Sequence, residues 1–314
     1  MRVLVTGGSG FIGSHVVDRL MAHGVTPLIY DQQRSTVHLQ QEHFMGSILD
    51  VEALRVAMNG VHAVIHLAAV ADVKDVFDDP SYAEMVNTRG TLCVLEAARR
   101  CHVKRVIYGS TTWVYSDCPE PSVDEETPIP PPRHLYTATK IASEFYCRAY
   151  AQLYGLETTL LRFGIPYGPR ARDAAVVPSF VAKAFRGESL TVAGDGSQFR
   201  QFVYVEDLAE GIVLALKPTA ANRTYNLDGP EQIPIRQIAE TIRELMGKVQ
   251  VVSTPVRPGD FSGKAVSSQR AETELGWKPR VSFRSGMERY IHWFRSRHEQ
   301  QMQTWNKVDA ALRT

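Results

Sequence analysis

The sequence predicts a doubly wound α/β fold, in which helices cover both faces of a parallel sheet, followed by a smaller α/β domain. Short β-branched runs alternate with helical patterns from residue 3 to about residue 164, which is typical of a parallel sheet with crossover helices. Beyond residue 164 the alternation loosens into segments rich in proline and glycine. We therefore expect a first domain of residues 1–164 plus roughly 198–230, a second of residues 165–197 and 231–298, and a polar tail over 299–314.

The composition excludes several classes of protein. A chain of 314 residues that is 44% hydrophobic can bury a large core. A net charge of +1 gives no bulk attraction to nucleic acid or an anionic membrane, and the longest apolar run, residues 61–71, is too short to span a bilayer. Four scattered cysteines form no metal-binding pattern, and a strand pattern starting at Arg2 leaves no room for a signal peptide. We expect a cytoplasmic enzyme or binding protein with no metal and no nucleic-acid or membrane partner.

The first strand, Val3–Thr6, runs into the glycine motif G-x-x-G-x-x-G over Gly7–Gly13, and a helical pattern follows. Glycines at such a turn let the backbone approach a pyrophosphate, and the helix N-terminus supplies free N–H groups. A second strand ends in Asp31, eighteen residues after Gly13. Its carboxylate can accept hydrogen bonds from both adenosine ribose hydroxyls and repels a 2′-phosphate. The pattern predicts a Rossmann-type NAD site, with Arg34 close enough to leave NADP open.

The next elements continue the alternation. Residues 45–48 form the end of a third strand, and Asp50 is the expected N-cap of a helix over residues 51–59. A buried strand follows over residues 61–68, in which we interpret His66 as a core histidine with satisfied hydrogen bonds. Asn87 lies inside a helical pattern over Ser81–Arg100. Because a buried amide needs partners, Asn87 either bridges neighbouring backbone or supports the site from behind.

The strand over residues 105–108 ends in the hydroxyl cluster Ser110–Thr112, at the sheet edge where α/β folds bind ligands. After a proline-rich loop, Tyr136 and Lys140 stand four residues apart, one turn from each other on a helix. A phenol has a pKa of roughly 10, and a neighbouring ammonium favours its ionised form. The pair predicts a tyrosine base. Two apolar stripes on this helix indicate cover by the core or by a second subunit.

The rest of the chain supplies a sixth strand over residues 157–163 and four further helices. We expect these helices over residues 178–186, 207–216, 235–246 and 285–298, with Asp207 as the N-cap of the second.

Taken together, the motifs resemble those of the extended short-chain dehydrogenase/reductases, specifically the NAD-dependent nucleotide-sugar epimerase/dehydratase family. The resemblance runs from Val3 to about Trp293. Its motifs are TGGSGFIGSH at Thr6–His15, VIHLAA at Val64–Ala69, GSTTWVY at Gly109–Tyr115, YTATK at Tyr136–Lys140, PYGPR at Pro166–Arg170, GDGSQFRQFVYVEDLAEG at Gly194–Gly211, RPGD at Arg257–Asp260 and LGWKP at Leu275–Pro279.

The resemblance implies a role for each matching position. Tyr136 is the catalytic base and acid, Lys140 holds the nicotinamide ribose and lowers the pKa of the tyrosine, and Thr111 is the catalytic hydroxyl. The implied cofactor contacts, besides Tyr136 and Lys140, are Gly7, Gly10, Phe11, Ile12, Gly13, Asp31, Ser47, Ile48, Leu67, Ala68, Ala69 and Asn87. The implied substrate contacts, besides Thr111 and Tyr136, are Thr112, Arg172, Val177, Arg200, Arg257 and Asp260, with Arg200 and Arg257 gripping a pyrophosphate.

The sequence departs from the family pattern in three ways. Dehydratases carry an acidic pair directly after the catalytic threonine, whereas this chain has Thr112 and Trp113. Ile165 stands where many epimerases place an asparagine that contacts the substrate. Ser47 stands where an aspartate usually meets the adenine, and its hydroxyl can still donate or accept.

The resemblance therefore implies an NAD-dependent 4-epimerase acting on a UDP-hexose of the UDP-glucose/UDP-galactose type, as a homodimer through a four-helix bundle. Arg172 is either a solvated loop arginine or the reader of a uronic acid carboxylate, and in the second case the substrate is UDP-glucuronate. A nucleotide-keto-sugar reductase, a dehydratase and a non-catalytic NAD sensor are the remaining alternatives.

Overall fold

The structure is a computed structural model that describes residues 1–247, 249–255 and 263–312, with side chains described up to residue 299. Its strands are β1 Arg2–Thr6, β2 Thr26–Asp31, β3 His43–Met45, β4 Ala63–His66, β5 Arg105–Thr111, β6 Ser122–Val123, β7 Glu157–Phe163, β8 Ile165–Tyr167, β9 Leu190–Ala193, β10 Phe199–Tyr204, β11 Thr224–Leu227, β12 Gln232–Pro234, β13 Val251–Thr254 and β14 Ala265–Val266.

The α-helices are α1 Phe11–Ala22, α2 Val51–Ala57, α3 Val73–Asp78, α4 Pro80–Glu84, α5 Gly90–Arg100, α6 Leu135–Tyr154, α7 Val176–Phe185, α8 Val205–Leu214, α9 Ile235–Met246 and α10 Phe283–Leu312. Short 3₁₀ turns lie at Thr112–Tyr115 and Pro218–Ala220, and π-helical turns at Met85–Arg89 and Ala271–Leu275. Among the described residues, no helix combines the length and the apolar content that a membrane crossing requires.

A seven-stranded parallel sheet carries the first domain, in the order β11-β7-β5-β4-β1-β2-β3. β1 lies between β2 and β4, so that Leu4 is opposite both Leu28 and Val64. The chain therefore leaves β1 in one direction and returns on its other side, which creates a crevice at the carboxyl ends of β1 and β4. The predicted doubly wound fold is confirmed.

Helices cover both faces of this sheet because its strands are apolar on both sides. On one face, α1 and α8 pack onto the strands through residues such as Val16, Leu20 and Ile212. On the other face, α2, α5 and α6 pack through residues such as Leu54 and Leu95. The turn Ala271–Leu275 and Trp277 belong to the first of these cores, although the sequence suggested placing residues 231–298 with the second domain.

A second hydrophobic core is formed by α7, α9 and α10 around the three-stranded sheet β12-β10-β8 and the pair β13-β9. Tyr167 lies at its centre, 2% exposed, with its ring against Phe202, Tyr204 and Phe283. β8 directly follows β7 of the large sheet, and β10 runs into α8, which packs on that sheet, so these two strands connect the two cores along the chain.

Several predicted elements lie elsewhere than expected. The Asp207 N-cap is wrong, because α8 begins at Val205 and the Asp207 carboxylate accepts the backbone N–H groups of Arg280 and Val281 at 2.9 and 2.8 Å. The third strand, His43–Met45, ends at the first residue of the predicted stretch 45–48 rather than at its last. The last helix does not end at residue 298 but continues to Leu312. The Asp50 N-cap is confirmed by its 3.0 Å hydrogen bond from Ala53 N.

Candidate active site

The turn between β1 and α1 is a cradle that only glycine fits at two of its positions. Gly7 has φ +70°, and a side-chain carbon there would lie 2.8 Å from the backbone nitrogen of Ala68. At Gly13 such a carbon would lie 2.1 Å from the carbonyl oxygen of Gly7. No acidic residue stands in the first turn of α1. The helix N-terminus is therefore suited to a pyrophosphate, which fits the predicted dinucleotide.

Asp31 is fixed at the end of β2 beside this turn. Its carboxylate accepts hydrogen bonds from the backbone N–H groups of Ser9 and Gln33, at 3.0 and 3.1 Å. Each oxygen keeps a second lone pair for a ligand hydroxyl. An anchored carboxylate at this distance from the glycine turn suits the adenosine ribose of NAD.

A single cleft of about 620 Å³ joins the glycine cradle to Tyr136. The predicted residues that line it are Gly7, Gly10, Phe11, Ile12, Gly13, Asp31, Ile48, Leu67, Ala68, Ala69, Thr111, Tyr136 and Arg172. The volume is typical of sites for small molecules and cofactors. The residues implied for cofactor and for substrate thus meet in one space.

Tyr136 lies in the first turn of α6, whose N-terminus is capped by His134 through a 3.2 Å hydrogen bond from Tyr136 N. Its side chain and that of Thr111 both line the cleft. Burial raises the pKa of Tyr136 to about 12, while the positive charge of Arg172 and the Thr111 hydroxyl act in the opposite direction. The base predicted from the sequence therefore has its hydroxyl partner in place.

Lys140 lies one turn further along α6 and is 5% exposed. Its ammonium donates to the Gly109 carbonyl oxygen at 2.8 Å and lies 4.9 Å from the centre of the Tyr108 ring. Burial lowers the pKa of Lys140 to about 8, against the opposing charge of Glu144. The expectation that Lys140 lowers the pKa of Tyr136 is not met here, because the ammonium is engaged at the Gly109 carbonyl and Arg172 is the lowering charge.

A buried polar network lies directly behind these residues. Glu144, one turn after Lys140, forms a 2.7 Å ion pair with Arg162 of β7, and both side chains are almost fully buried. Ser110 donates to Glu144 at 2.6 Å, and Arg162 donates to the Tyr115 hydroxyl at 2.5 Å. The network therefore ties α6 to the ends of β5 and β7, which fixes Tyr136 and Thr111 relative to each other.

Arg172 belongs to the loop between β8 and α7 and lines the same cleft as Tyr136. Its side chain is 54% exposed and forms a 3.6 Å ion pair with Asp72, just before α3. The side chain is therefore placed at the site, with one anionic partner on the opposite wall.

Some predicted contacts lie away from the cleft surface. The Asn87 side chain is buried, accepts from Val70 N at 2.8 Å and donates to Val70 O and Thr139 Oγ1 at 3.0 and 3.1 Å. Asn87 therefore supports the cleft wall at Val70 from behind, which is one of the two roles that the sequence left open for it. Ser47 accepts from Leu49 N at 3.2 Å in a local turn. Val177 is 1% exposed in the second core, so its side chain does not reach a ligand.

Only some of the remaining predicted substrate contacts lie in the described part of the structure. Thr112 and Arg200 line a small cavity next to the main cleft. Arg257 and Asp260 lie outside the described residues. His66 is a satisfied core histidine, as predicted, with hydrogen bonds to Thr6 Oγ1 at 2.7 Å and Thr91 Oγ1 at 3.1 Å.

Sequence reasoning missed several residues that line the cleft. They are Gln32, Gln33, Val73, Tyr82 and Trp113. The only signal for Trp113 was its place after the catalytic hydroxyl. The others stand in loops and short helices whose partners across the cleft cannot be read from local patterns.

Comparison with known proteins places the chain in one family. The model of the family described as "NAD dependent epimerase/dehydratase family" matches residues 3–228. UDP-glucuronic acid decarboxylase 1 from Xenopus tropicalis is 33% identical over 312 residues, covering 96% of this chain and 73% of that protein.

Two solved structures share the fold over nearly their whole length. UDP-glucose 4-epimerase from Thermus thermophilus, in complex with NAD, is 35% identical with a TM-score of 0.86, and the match covers 94% of this chain and 99% of that one. UDP-glucose 4-epimerase from Thermotoga maritima, with UDP-glucose, is 31% identical with a TM-score of 0.88 and the same coverage. The chain therefore belongs to the NAD-dependent epimerase/dehydratase family, and its cofactor is NAD.

Proposed function

We propose that the protein is a UDP-sugar 4-epimerase that interconverts UDP-glucose and UDP-galactose. One observation carries the proposal: Tyr136 and Thr111 line the same cleft as the glycine cradle, and the uncharged residues Thr112 and Trp113 follow Thr111 in the chain. Tyr136 and Thr111 supply a base and a hydroxyl for one sugar oxygen. Elimination of water would need a further acid and base, which these two positions do not provide.

In this mechanism the residues act on the 4-hydroxyl of the sugar. NAD, when bound, supplies the chemistry of accepting a hydride from carbon 4 and returning it. Tyr136 removes the hydroxyl proton and later gives it back to the same oxygen, so no proton is consumed overall. Thr111 hydrogen-bonds that oxygen, and the charge of Arg172 favours the ionised form of Tyr136. Lys140, which donates to the Gly109 carbonyl, would bind the nicotinamide ribose.

The test is conversion of UDP-glucose to UDP-galactose by the purified protein without added cofactor, measured by separating the two sugars. Tyr136→Phe should lower turnover by at least about a thousandfold, because the proton acceptor is lost, while NAD stays bound. Tyr154→Phe, at the exposed end of the same helix, is the matched control and should keep wild-type turnover. Turnover by Tyr136→Phe within about tenfold of wild type would refute the proposal.

The same assay separates the alternatives. A keto-sugar reductase consumes reduced cofactor, which is followed by nicotinamide absorbance, whereas an epimerase leaves the cofactor as it was. A dehydratase yields a 4-keto-6-deoxy sugar, which separates from both hexoses. A non-catalytic NAD sensor would turn over none of the sugars, and the retained Tyr136–Lys140 pair argues against it.

A second candidate is UDP-glucuronate 4-epimerisation, which the position of Arg172 favours. The guanidinium lines the cleft that holds Tyr136, and its ion pair with Asp72 spans 3.6 Å, so a sugar carboxylate could replace that partner. Arg172→Ala should then reduce turnover of UDP-glucuronate at least about tenfold more than turnover of UDP-glucose. Arg133→Ala, an 89% exposed loop arginine, is the control. Equal losses on both sugars would dispose of this candidate.

The assembly we propose is a homodimer through α4–α5 and α6. Phe145 and Leu153 of α6 are 65% and 72% exposed, and Tyr82 and Met85 on the neighbouring helical segment are 43% and 40% exposed. Large apolar side chains on adjacent helices are typical of an interface that a second copy covers. Two helical segments from each copy would form a four-helix bundle.

A further inference from the structure

A small cavity of about 30 Å³ adjoins the main cleft and shares Trp113 and Ile165 with it. Thr112, Arg200 and Asp228 also line it. The volume holds one polar group, such as a hydroxyl or a phosphate oxygen, rather than a sugar ring. Ile165 offers such a group no hydrogen bond, although it occupies the wall nearest the main cleft.

Asp228 forms another part of that wall. It follows β11 and is 3% exposed. One carboxyl oxygen accepts the backbone N–H of Gly229 at 2.8 Å. A side-chain carbon on Gly164 would lie 1.8 Å from that oxygen, so the carboxyl group is pressed against the backbone directly before Ile165. Within the described part of the chain, Gly229 is the only group that hydrogen-bonds this side chain.

The protonation state of Asp228 suits a polar ligand. Burial raises its pKa to about 8, so the group carries a proton at neutral pH. A neutral carboxyl group can both donate and accept a hydrogen bond, as a carboxamide does. An ionised carboxylate beside Arg200 would instead repel a diphosphate, so protonation removes that repulsion.

We propose that Asp228 is a substrate-binding residue, which gives an oxygen of the sugar-diphosphate the hydrogen bond that Ile165 cannot make. The proposal deepens the proposed function, because it rests on a nucleotide sugar occupying this cleft. It assigns the contact to the end of β11 rather than to the segment after β7. The two positions are adjacent in space, since Gly164 N donates to the Leu227 carbonyl at 2.9 Å.

The experiment measures UDP-glucose affinity by isothermal titration calorimetry on the NAD-loaded, full-length protein. Asp228→Ala should weaken binding about three- to tenfold, as expected for the loss of one buried hydrogen bond. Asp228→Asn, which keeps a donor and an acceptor, should bind within about twofold of wild type. Ile165→Asn introduced into Asp228→Ala should recover most of the lost affinity, because the amide reaches the same cavity. A merely structural role for Asp228 would not produce this recovery.

Asp195→Ala is the matched control, because that exposed aspartate also accepts a local backbone hydrogen bond, from Ser197 N at 2.9 Å. It should leave UDP-glucose affinity unchanged. Unchanged affinity in Asp228→Ala, or no recovery in the double variant, overturns the proposal. Failure of the proposed function is seen separately: UDP-glucose then binds with the same dependence on Asp228 but is not converted to UDP-galactose.

Discussion

The ion pair between Glu144 and Arg162 supports the catalytic helix from behind, and Glu144→Gln is the change that probes it most directly. The substitution keeps the shape of the side chain but removes the charge opposite Arg162. Both side chains are at most 4% exposed. Arg162 would therefore keep a buried positive charge without its counter-ion.

Removing one partner of a buried ion pair costs about 3–5 kcal/mol, because the remaining charge stays desolvated. The unfolding entropy of globular proteins is about 2.1 cal/mol/K per residue, which gives about 0.66 kcal/mol/K for 314 residues. Glu144→Gln should therefore lower Tm by about 5–8 °C.

The negative charge of Glu144 also raises the pKa of Lys140. The variant should accordingly lose activity on the alkaline side at a lower pH than wild type does.

Tm is measured by circular dichroism with NAD bound, and the alkaline limb by turnover against pH. Glu96→Gln is the control, because Glu96 pairs with Arg99 and Arg100, whose side chains are 39% and 48% exposed, and removing such a solvent-exposed pair changes stability by less than about 1 kcal/mol. Replacing both partners, as Glu144→Leu with Arg162→Leu, should be less costly than Glu144→Gln alone. A Glu144→Gln variant as stable as Glu96→Gln would refute the reasoning.

Two further predictions concern stability and assembly. Burial lowers the pKa of His66 to about 3 from its usual 6.5, so below pH 6.5 the unfolded chain takes up a proton that the native state does not. The free energy of unfolding should therefore fall by up to about 1.4 kcal/mol per pH unit between pH 6 and 4 from this residue alone. When that free energy is measured by urea titration at several pH values, it should depend less steeply on pH in His66→Gln than in wild type. An equal dependence on pH would contradict the assignment. If the proposed dimer forms, Phe145→Asp should convert it to a monomer in light scattering, whereas Val56→Asp, at a 70% exposed valine on α2, should leave it intact; a dimeric Phe145→Asp would exclude the α6 interface.

The fold and the cofactor end of the site could be predicted because they depend on local patterns. A strand that ends in Gly7–Gly13 and opens a helix allows few other arrangements, and Asp31 follows at the next strand end. The spacing of Tyr136 and Lys140 fixes them on one face of a helix whatever the helix packs against. Each of these inferences needs only the neighbouring residues of the chain.

The substrate end could not be predicted in the same way, because distant segments meet there. Asp228 and Gly164 touch across a strand pair, although 64 residues separate them in the sequence. Asp207 has the residue type and position of an N-cap, yet its carboxylate binds the loop at Arg280 instead. Local capping preferences cannot anticipate a tertiary partner that offers two backbone N–H groups to one carboxylate.

Arg172 bears on both the strength of the base and the identity of the sugar. Its charge lowers the pKa of Tyr136, and its present counter-ion, Asp72, lies 3.6 Å away. A neutral hexose leaves that arrangement intact, so the charge continues to favour the tyrosinate. A uronic acid carboxylate bound by Arg172 would take the place of Asp72 as its counter-ion, so the charge beside Tyr136 would change little. Arg172→Ala should therefore weaken the base with either sugar, and only a uronic acid would lose a carboxylate contact in addition.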